Sequence, residues 1–174
     1  MKNKVRILLI VFVLASMAFT ASAAEDSAWK WLDFAEAYPL AMSEGKHLVI
    51  NFYSLGCGWC RRMDNSTFKD TTVLGILDEG FIGAKLNIAS NRRIDWMGRQ
   101  LAEREIAAIF AGRGVPYTTF IDTTGEVVAA LPGYVDAQQF TTILQYVGGY
   151  WYRDLTFQEY LISGKLLEAQ DDTE

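Results

Sequence analysis

The stretch Leu48-Val-Ile-Asn-Phe-Tyr-Ser-Leu-Gly-Cys-Gly-Trp-Cys-Arg-Arg-Met-Asp64 decides how the rest of the chain is read. Its first six residues are an apolar run with one polar member, Asn51, the pattern of a buried strand. Gly56 to Gly58 turn the chain, and a helix is expected to start near Cys57 and run to about Thr67. A helix N-terminus carries amide protons without intrahelical partners and a partial positive charge. A cysteine placed there is stabilised as thiolate and titrates below the free value of about 8.5. Arg61 and Arg62 add positive charge nearby. Cys60 follows one helical turn on, so its sulfur can reach back to Cys57.

These two are the only cysteines in 174 residues. A disulfide stabilises mainly by closing a loop in the unfolded chain, and the gain grows with loop length. Two intervening residues gain little, so reactivity explains the pair better than stapling. A structural zinc site needs four ligands, and the chain offers only one histidine, His47, beside the cysteines. The pair therefore reads as a dithiol that cycles with its disulfide: Cys57 attacks a substrate disulfide and Cys60 resolves the mixed disulfide.

Outward from this stretch, Trp29 to Glu44 reads as helical, interrupted near Pro39 and stopped by Gly45. Asp70 caps a helix through Glu79. Phe81 to Asn87 is a second strand. Ile94, Met97, Leu101, Ile106, Ile109 and Phe110, with charges between them, predict one long amphipathic helix over 94–110. Tyr117 to Ile121 and Glu126 to Leu131 form a hairpin across the turn Asp122-Thr-Thr-Gly125. Asp136 caps a helix through Val147. Thr156-Phe-Gln-Glu159 is a capping box that opens a last helix to Ser163. A strand–helix–strand unit followed by a hairpin predicts an α/β domain with a central mixed sheet and helices on both faces.

The N-terminus carries Lys2, Lys4 and Arg6, then an apolar run from Ile7 to Phe19, then Ala21-Ser-Ala-Ala24. Basic, apolar and small in that order is the pattern of a secretory signal peptide, with cleavage after Ala23 or one residue later. The competing reading, an uncleaved anchor, is disfavoured because the run is shorter than the roughly 20 apolar residues that span a bilayer. Loss of the leader removes three of 16 basic residues and leaves 13 against 21 acidic ones, a net charge of −8. Such a chain lacks the basic footprint of a nucleic-acid binder.

Cys57-Gly-Trp-Cys60, after a strand and opening a helix, with Val115-Pro116 far downstream, resembles the thioredoxin superfamily. Asn51 to Asp64, with Thr67-Phe68 beyond, is similar to its exported branch, which includes SoxW-type proteins and the C-terminal domain of DsbD. Gly133 to Phe140, and onward through Tyr146 to Leu161, resembles the SoxW-like group. The resemblance implies a thioredoxin fold with extra N- and C-terminal helices. With the leader pattern and the acidic C-terminal composition, the chain is expected to divide into a signal peptide (1–23), a thioredoxin-like domain (24–167) and an acidic, disordered tail (168–174). The resemblance implies that Pro116 is a cis-proline facing the cysteines, that Val115 flanks the substrate groove, and that Trp59 covers the active-site face. It implies no cofactor beyond the redox-active disulfide Cys57–Cys60.

One position departs from the family. Thioredoxins usually carry a buried aspartate six residues before the first cysteine; here Asn51 stands there, and an amide is no base. Lys85 matches the lysine that pairs with that aspartate, and is expected to bond Asn51 or to sit at a strand edge. Asn51, Lys85 and Arg61 are thus candidates for tuning proton transfer. His47 reads as a surface residue, Arg92 and Arg93 as a solvated turn, and the aromatics Tyr150 to Tyr160 as packing.

The expected activity is reduction of oxidised protein substrates in the periplasm, by a monomer taking electrons from a membrane thiol reductant of the DsbD or CcdA kind. Oxidation or isomerisation of disulfides would use the same residues. A binding or chaperone module with incidental cysteines is the reading from another class.

Overall fold

The computed structural model describes residues 29–171, with side chains to 164. The expected signal peptide and residues 172–174 of the acidic tail lie outside the described residues. Helix α1 (Phe34–Glu44) is capped by Asp33 and ends at Gly45, whose φ of 64° ends the helix in the left-handed region. It runs through Pro39 without a break, and its expected first turn is absent: Leu32 instead pairs with the outer edge of the sheet, donating to Gly83 O at 2.8 Å. Strand β1 (His47–Tyr53) leads to α2 (Gly58–Asn65), a short 3-10 turn at Thr67–Lys69, and α3 (Thr71–Gly80). Asp70 caps α3 as expected, accepting from Thr72 and Val73. Strand β2 (Phe81–Asn87) follows.

The next segment corrects the predicted helix. Residues 94–110 hold a hairpin, β3 (Arg93–Trp96) and β4 (Arg99–Ala102), and only then a short helix, α4 (Glu103–Phe110). The physical reason lies at Met97-Gly98. Trp96 pairs with Arg99 across a two-residue loop, and both loop residues have positive φ, 51° and 73°. Two-residue hairpin loops favour that geometry, and glycine supplies it without strain. Arg92 is exposed, as expected, but it is not unpaired. It pairs with Asp33 and with the buried Glu103, whose other oxygen accepts the Asn87 amide at 2.8 Å. Those contacts tie the hairpin to α1 and to the end of β2.

Strands β5 (Tyr117–Ile121) and β6 (Val127–Pro132) form the expected hairpin, and α5 (Ala137–Gly148) is capped by Asp136. The last helix, α6 (Phe157–Asp171), opens on the Thr156–Glu159 capping box and extends past Ser163.

The four-stranded sheet has the order β2-β1-β5-β6, with β1 parallel to β2 and antiparallel to β5. Alternation along β1 splits the core. Leu48, Ile50 and Phe52 face α1 and α4, with Phe34, Leu86, Ile106 and Ile121. Val49 faces α2, α3 and α5, with Met63, Leu77, Phe120 and Phe140. Truncating a buried phenylalanine such as those in either layer typically costs about 3–5 kcal/mol. The helices thus cover both faces of a mixed sheet, as expected.

His47 is buried rather than at the surface. Its Nε2 lies 3.1 Å from the Tyr152 hydroxyl, and its ring packs on Tyr150 and Phe81. Burial lowers its pKa, assisted by Arg153 and opposed by Asp122. In the unfolded chain the imidazole titrates near 6.5. Above that value both states are neutral and the residue adds no pH dependence. Below it the unfolded state binds the proton first, so stability falls with pH. Urea denaturation of the wild type should show a midpoint that drops between pH 7 and pH 5. His47→Gln should flatten that slope, and an equal slope in both proteins would refute the assignment.

Candidate functional site

The site begins where β1 ends. Tyr53 leaves the sheet, the amide of Cys57 donates to Ser54 O at 3.1 Å, and α2 starts at Gly58 with Cys57 as its N-cap. Cys57 Sγ accepts the Cys60 amide at 3.0 Å. The cap position that serine or aspartate commonly fills is thus occupied by sulfur. Cys57 and Cys60 form a disulfide with an S–S distance of 2.04 Å. Cys57 is half-buried while Cys60 is only 4% exposed. Of the two cysteines, Cys57 is the one open to solvent, and Cys60 lies behind it.

Arg61 and Trp59 frame this turn. Arg61 donates to Leu55 O at 3.3 Å, bridging the loop before Cys57. Trp59 is 56% exposed and lies 5.5 Å from the ring of Tyr134, in the loop between β6 and α5. Tyr134 escaped notice in the sequence, where it was one residue of a longer similarity. Its hydroxyl is hydrogen-bonded with Ser66 (3.2 Å), and that bond is the main cause lowering its pKa. The loop is fixed to the end of α2 by Thr67, whose hydroxyl donates to Val135 O at 2.6 Å.

Behind the cysteines Lys85 does not bond Asn51; it sits on an edge strand, the second alternative drawn from the sequence. Asn51 is 1% exposed, and its amide donates to the Thr118 hydroxyl on β5 at 3.2 Å. Lys85 stands opposite Asn51 in the β1–β2 register, on the edge strand, but its ammonium pairs with Asp64 of α2. The ring centroids of Trp31 and Phe68 lie 5.1 and 5.6 Å from that ammonium. Asp64 is therefore a site residue that the sequence did not reveal. It was visible only as the end of the motif, because its partner lies 21 residues away. One carboxylate is present beside the lysine after all, carried by the cysteine helix instead of the strand.

The Val115–Pro116 peptide bond is cis. Because β5 runs antiparallel to β1, with Tyr117 opposite Phe52, Pro116 falls at the same end of the sheet as the cysteines. Pro116 is buried, and its carbonyl accepts the Gly133 amide at 2.9 Å, which links it to the loop carrying Tyr134. Val115 is half-buried and packs against the α1 layer.

A mixed sheet with a cysteine pair at the end of its central strand, and a cis-proline opening the antiparallel neighbour, defines a thioredoxin-fold protein. Residues 34–148 match the family described as the thioredoxin-like domain, and the chain belongs to that family. Among solved structures it is similar to a thioredoxin-fold protein from Helicobacter pylori, at 23% identity and a TM-score of 0.63, covering 71% of this chain and 87% of that one. A thioredoxin from Thermus thermophilus gives 24% and 0.57, covering 69% and 87%. A candidate disulphide-isomerase from Bacteroides thetaiotaomicron gives 27% and 0.53, covering 68% and 90%. No curated protein matches the sequence.

Asn51→Asp restores a carboxyl at a buried position, where burial raises a carboxyl pKa toward neutrality. The rate of disulfide reduction by this variant should gain an ionisation between pH 6 and 9. An unchanged profile over that range would show that position 51 does not govern proton transfer.

Proposed function

We propose that this chain is an exported thiol–disulfide oxidoreductase that reduces disulfides in periplasmic proteins. The observation that carries the reading is the asymmetry of the pair. Cys57 is accessible, sits at a helix N-cap and points its sulfur at a backbone amide, while Cys60 is buried within bonding distance. An amide proton and a helix N-terminus both favour a thiolate over a thiol at Cys57 once the bridge is reduced.

In the reaction the Cys57 thiolate attacks one sulfur of the substrate disulfide. A Cys57–substrate disulfide forms and one substrate thiolate leaves, taking a proton. Cys60, as thiolate, then attacks Cys57 Sγ; the second substrate thiol departs and the Cys57–Cys60 bond closes. Two electrons and two protons pass to the substrate. Trp59, Val115 and Pro116 contact the substrate segment, and Asn51, Lys85 and Arg61 tune the pair. Turnover requires a dithiol donor, for which a membrane thiol reductant of the DsbD or CcdA type fits an exported protein. The leader-like pattern of residues 1–23 supports export. A periplasmic product beginning at Ala24 or Glu25 would match it, and a cell fraction holding only the full-length chain would oppose it.

Reduction of insulin by the dithiol form should be lost in Cys57→Ser, and full activity there would remove the enzymatic reading altogether. The direction of flow rests on the reduction potential. A value near about −270 mV fits a reductase, and one near about −120 mV would make the protein an oxidant. Cys60→Ser should trap substrates on Cys57 as mixed disulfides that a thiol reagent releases.

A further inference from the structure

The chain is acidic, with 21 acidic against 16 basic residues, yet the surface beside Cys57 is cationic and apolar. Leu55 is 82% exposed and Trp59 56% exposed, two large apolar side chains flanking the accessible sulfur. Arg61 and Arg62 follow Cys60 directly. Among the described residues neither guanidinium forms an ion pair, whereas Lys46, Lys85, Arg92 and Arg93 all do. The nearby carboxylates are already engaged: Asp64 by Lys85, and Asp136 by the Gln139 amide at the start of α5.

Arg62 is held in an unusual way for a surface arginine. Its guanidinium carbon lies 5.2 Å from the ring centroid of Trp59 and 5.2 Å from that of Tyr134. Trp59 is three residues earlier on the same helix, so the side chain leans toward the N-terminal turn that carries Cys57. Tyr134 is itself fixed through Ser66, whose hydroxyl donates to Arg62 O at 2.7 Å. Contact with both rings orders the planar fork before any ligand arrives, so less side-chain entropy is lost when it bonds. A guanidinium so presented matches a carboxylate, which it can hold through two parallel N–H···O bonds.

We propose that Arg62, held against the paired rings of Trp59 and Tyr134, is a specificity residue that selects peptide disulfides carrying an aspartate or glutamate within two positions of the attacked cysteine. The inference rests on the reading that Cys57 reduces protein disulfides. The exchange is the one written above, and the carboxylate takes no part in the bonds made or broken.

Three synthetic peptides of one length test it. Each is closed by one disulfide, and they differ only in having Glu, Gln or Lys on both sides of both cysteines. The pre-reduced protein from Ala24 onward is mixed with each peptide, and the second-order rate of peptide reduction is read after acid quenching. The wild type should reduce the Glu peptide about fivefold faster than the Gln peptide, the scale of one partly exposed ion pair, and the Lys peptide more slowly still. The ratio should shrink between low and high salt. In Arg62→Gln the Glu-to-Gln ratio should fall close to one. A wild-type ratio near one, a ratio unmoved by salt, or a ratio that survives Arg62→Gln would overturn the proposal. So would an equal slowing of all three peptides in Arg62→Gln, because Arg62 would then act through the Cys57 thiolate and not through the substrate. Failure of the wild type to reduce any of the three would overturn the reductase reading and this inference with it.

Discussion

The position of one sulfur atom depends on the burial of one strand. Strand β1 is paired on both sides and covered on both faces, so its backbone cannot shift without breaking two ladders and two core layers at once. Cys57 comes four residues after its last paired residue. The N-terminus of α2 is therefore delivered to one end of the sheet with little freedom. That constraint places a cysteine where unsatisfied amides converge, and it does so with backbone alone. The same ladder fixes Pro116, because β5 pairs with β1 up to Phe52–Tyr117 and the cis bond follows one residue further out.

The charge behind the cysteines has been redistributed within this frame. On the α2 side of the sheet, Val49 and Asn51 point the same way as Phe81, Gly83 and Lys85. With Asn51 neutral and satisfied by Thr118, Lys85 has no partner on the strand and turns to Asp64. The pair is not deeply buried, at 22% and 38% side-chain exposure, so neither charge bears the full desolvation that an interior ion would. Trp31 covers the ammonium, and Trp29 lies so close to Gly83 that a Cβ there would come within 2.2 Å of its ring. Glycine at 83 is thus required for the N-terminal segment to close over the edge strand.

What the sequence made legible was local. The strand before the motif, the caps at Asp70, Asp136 and Thr156, the turn at Asp122 and the helix start at Cys57 all follow from signals within a few residues of each other. The illegible features were those settled by distant partners or by competing periodicities. Ile94, Met97 and Leu101 satisfy a helical spacing, but Gly98 would weaken a helix by about 1 kcal/mol while suiting a hairpin turn. Burial of Ile94 and the packing of Trp96 against Phe34, Tyr38 and Phe110 settle the matter. His47 was misplaced for the same reason: Tyr150 and Tyr152, which help to bury it, lie more than 100 positions along the chain. Asp64 and Tyr134 belong to the site through contacts 21 and 68 residues apart, which no spacing rule reads.

The hairpin that replaced the predicted helix bears on the site by an indirect route. It packs in the α1 layer, on the opposite face of the sheet from α2, so it is not built to touch Cys57. Glu103, at the first turn of α4, receives Arg92 on one oxygen and the Asn87 amide on the other, which holds α4 against the end of β2. The C-terminal end of α4 is held to β5, where Thr119 donates to Phe110 O at 2.8 Å. From Phe110 to the start of β5 the chain has only residues 111–116 in which to make the cis bond. The hairpin and its charged tether therefore govern how the Val115–Pro116 loop is presented, and substitutions there would act on the site through backbone position and not through contact.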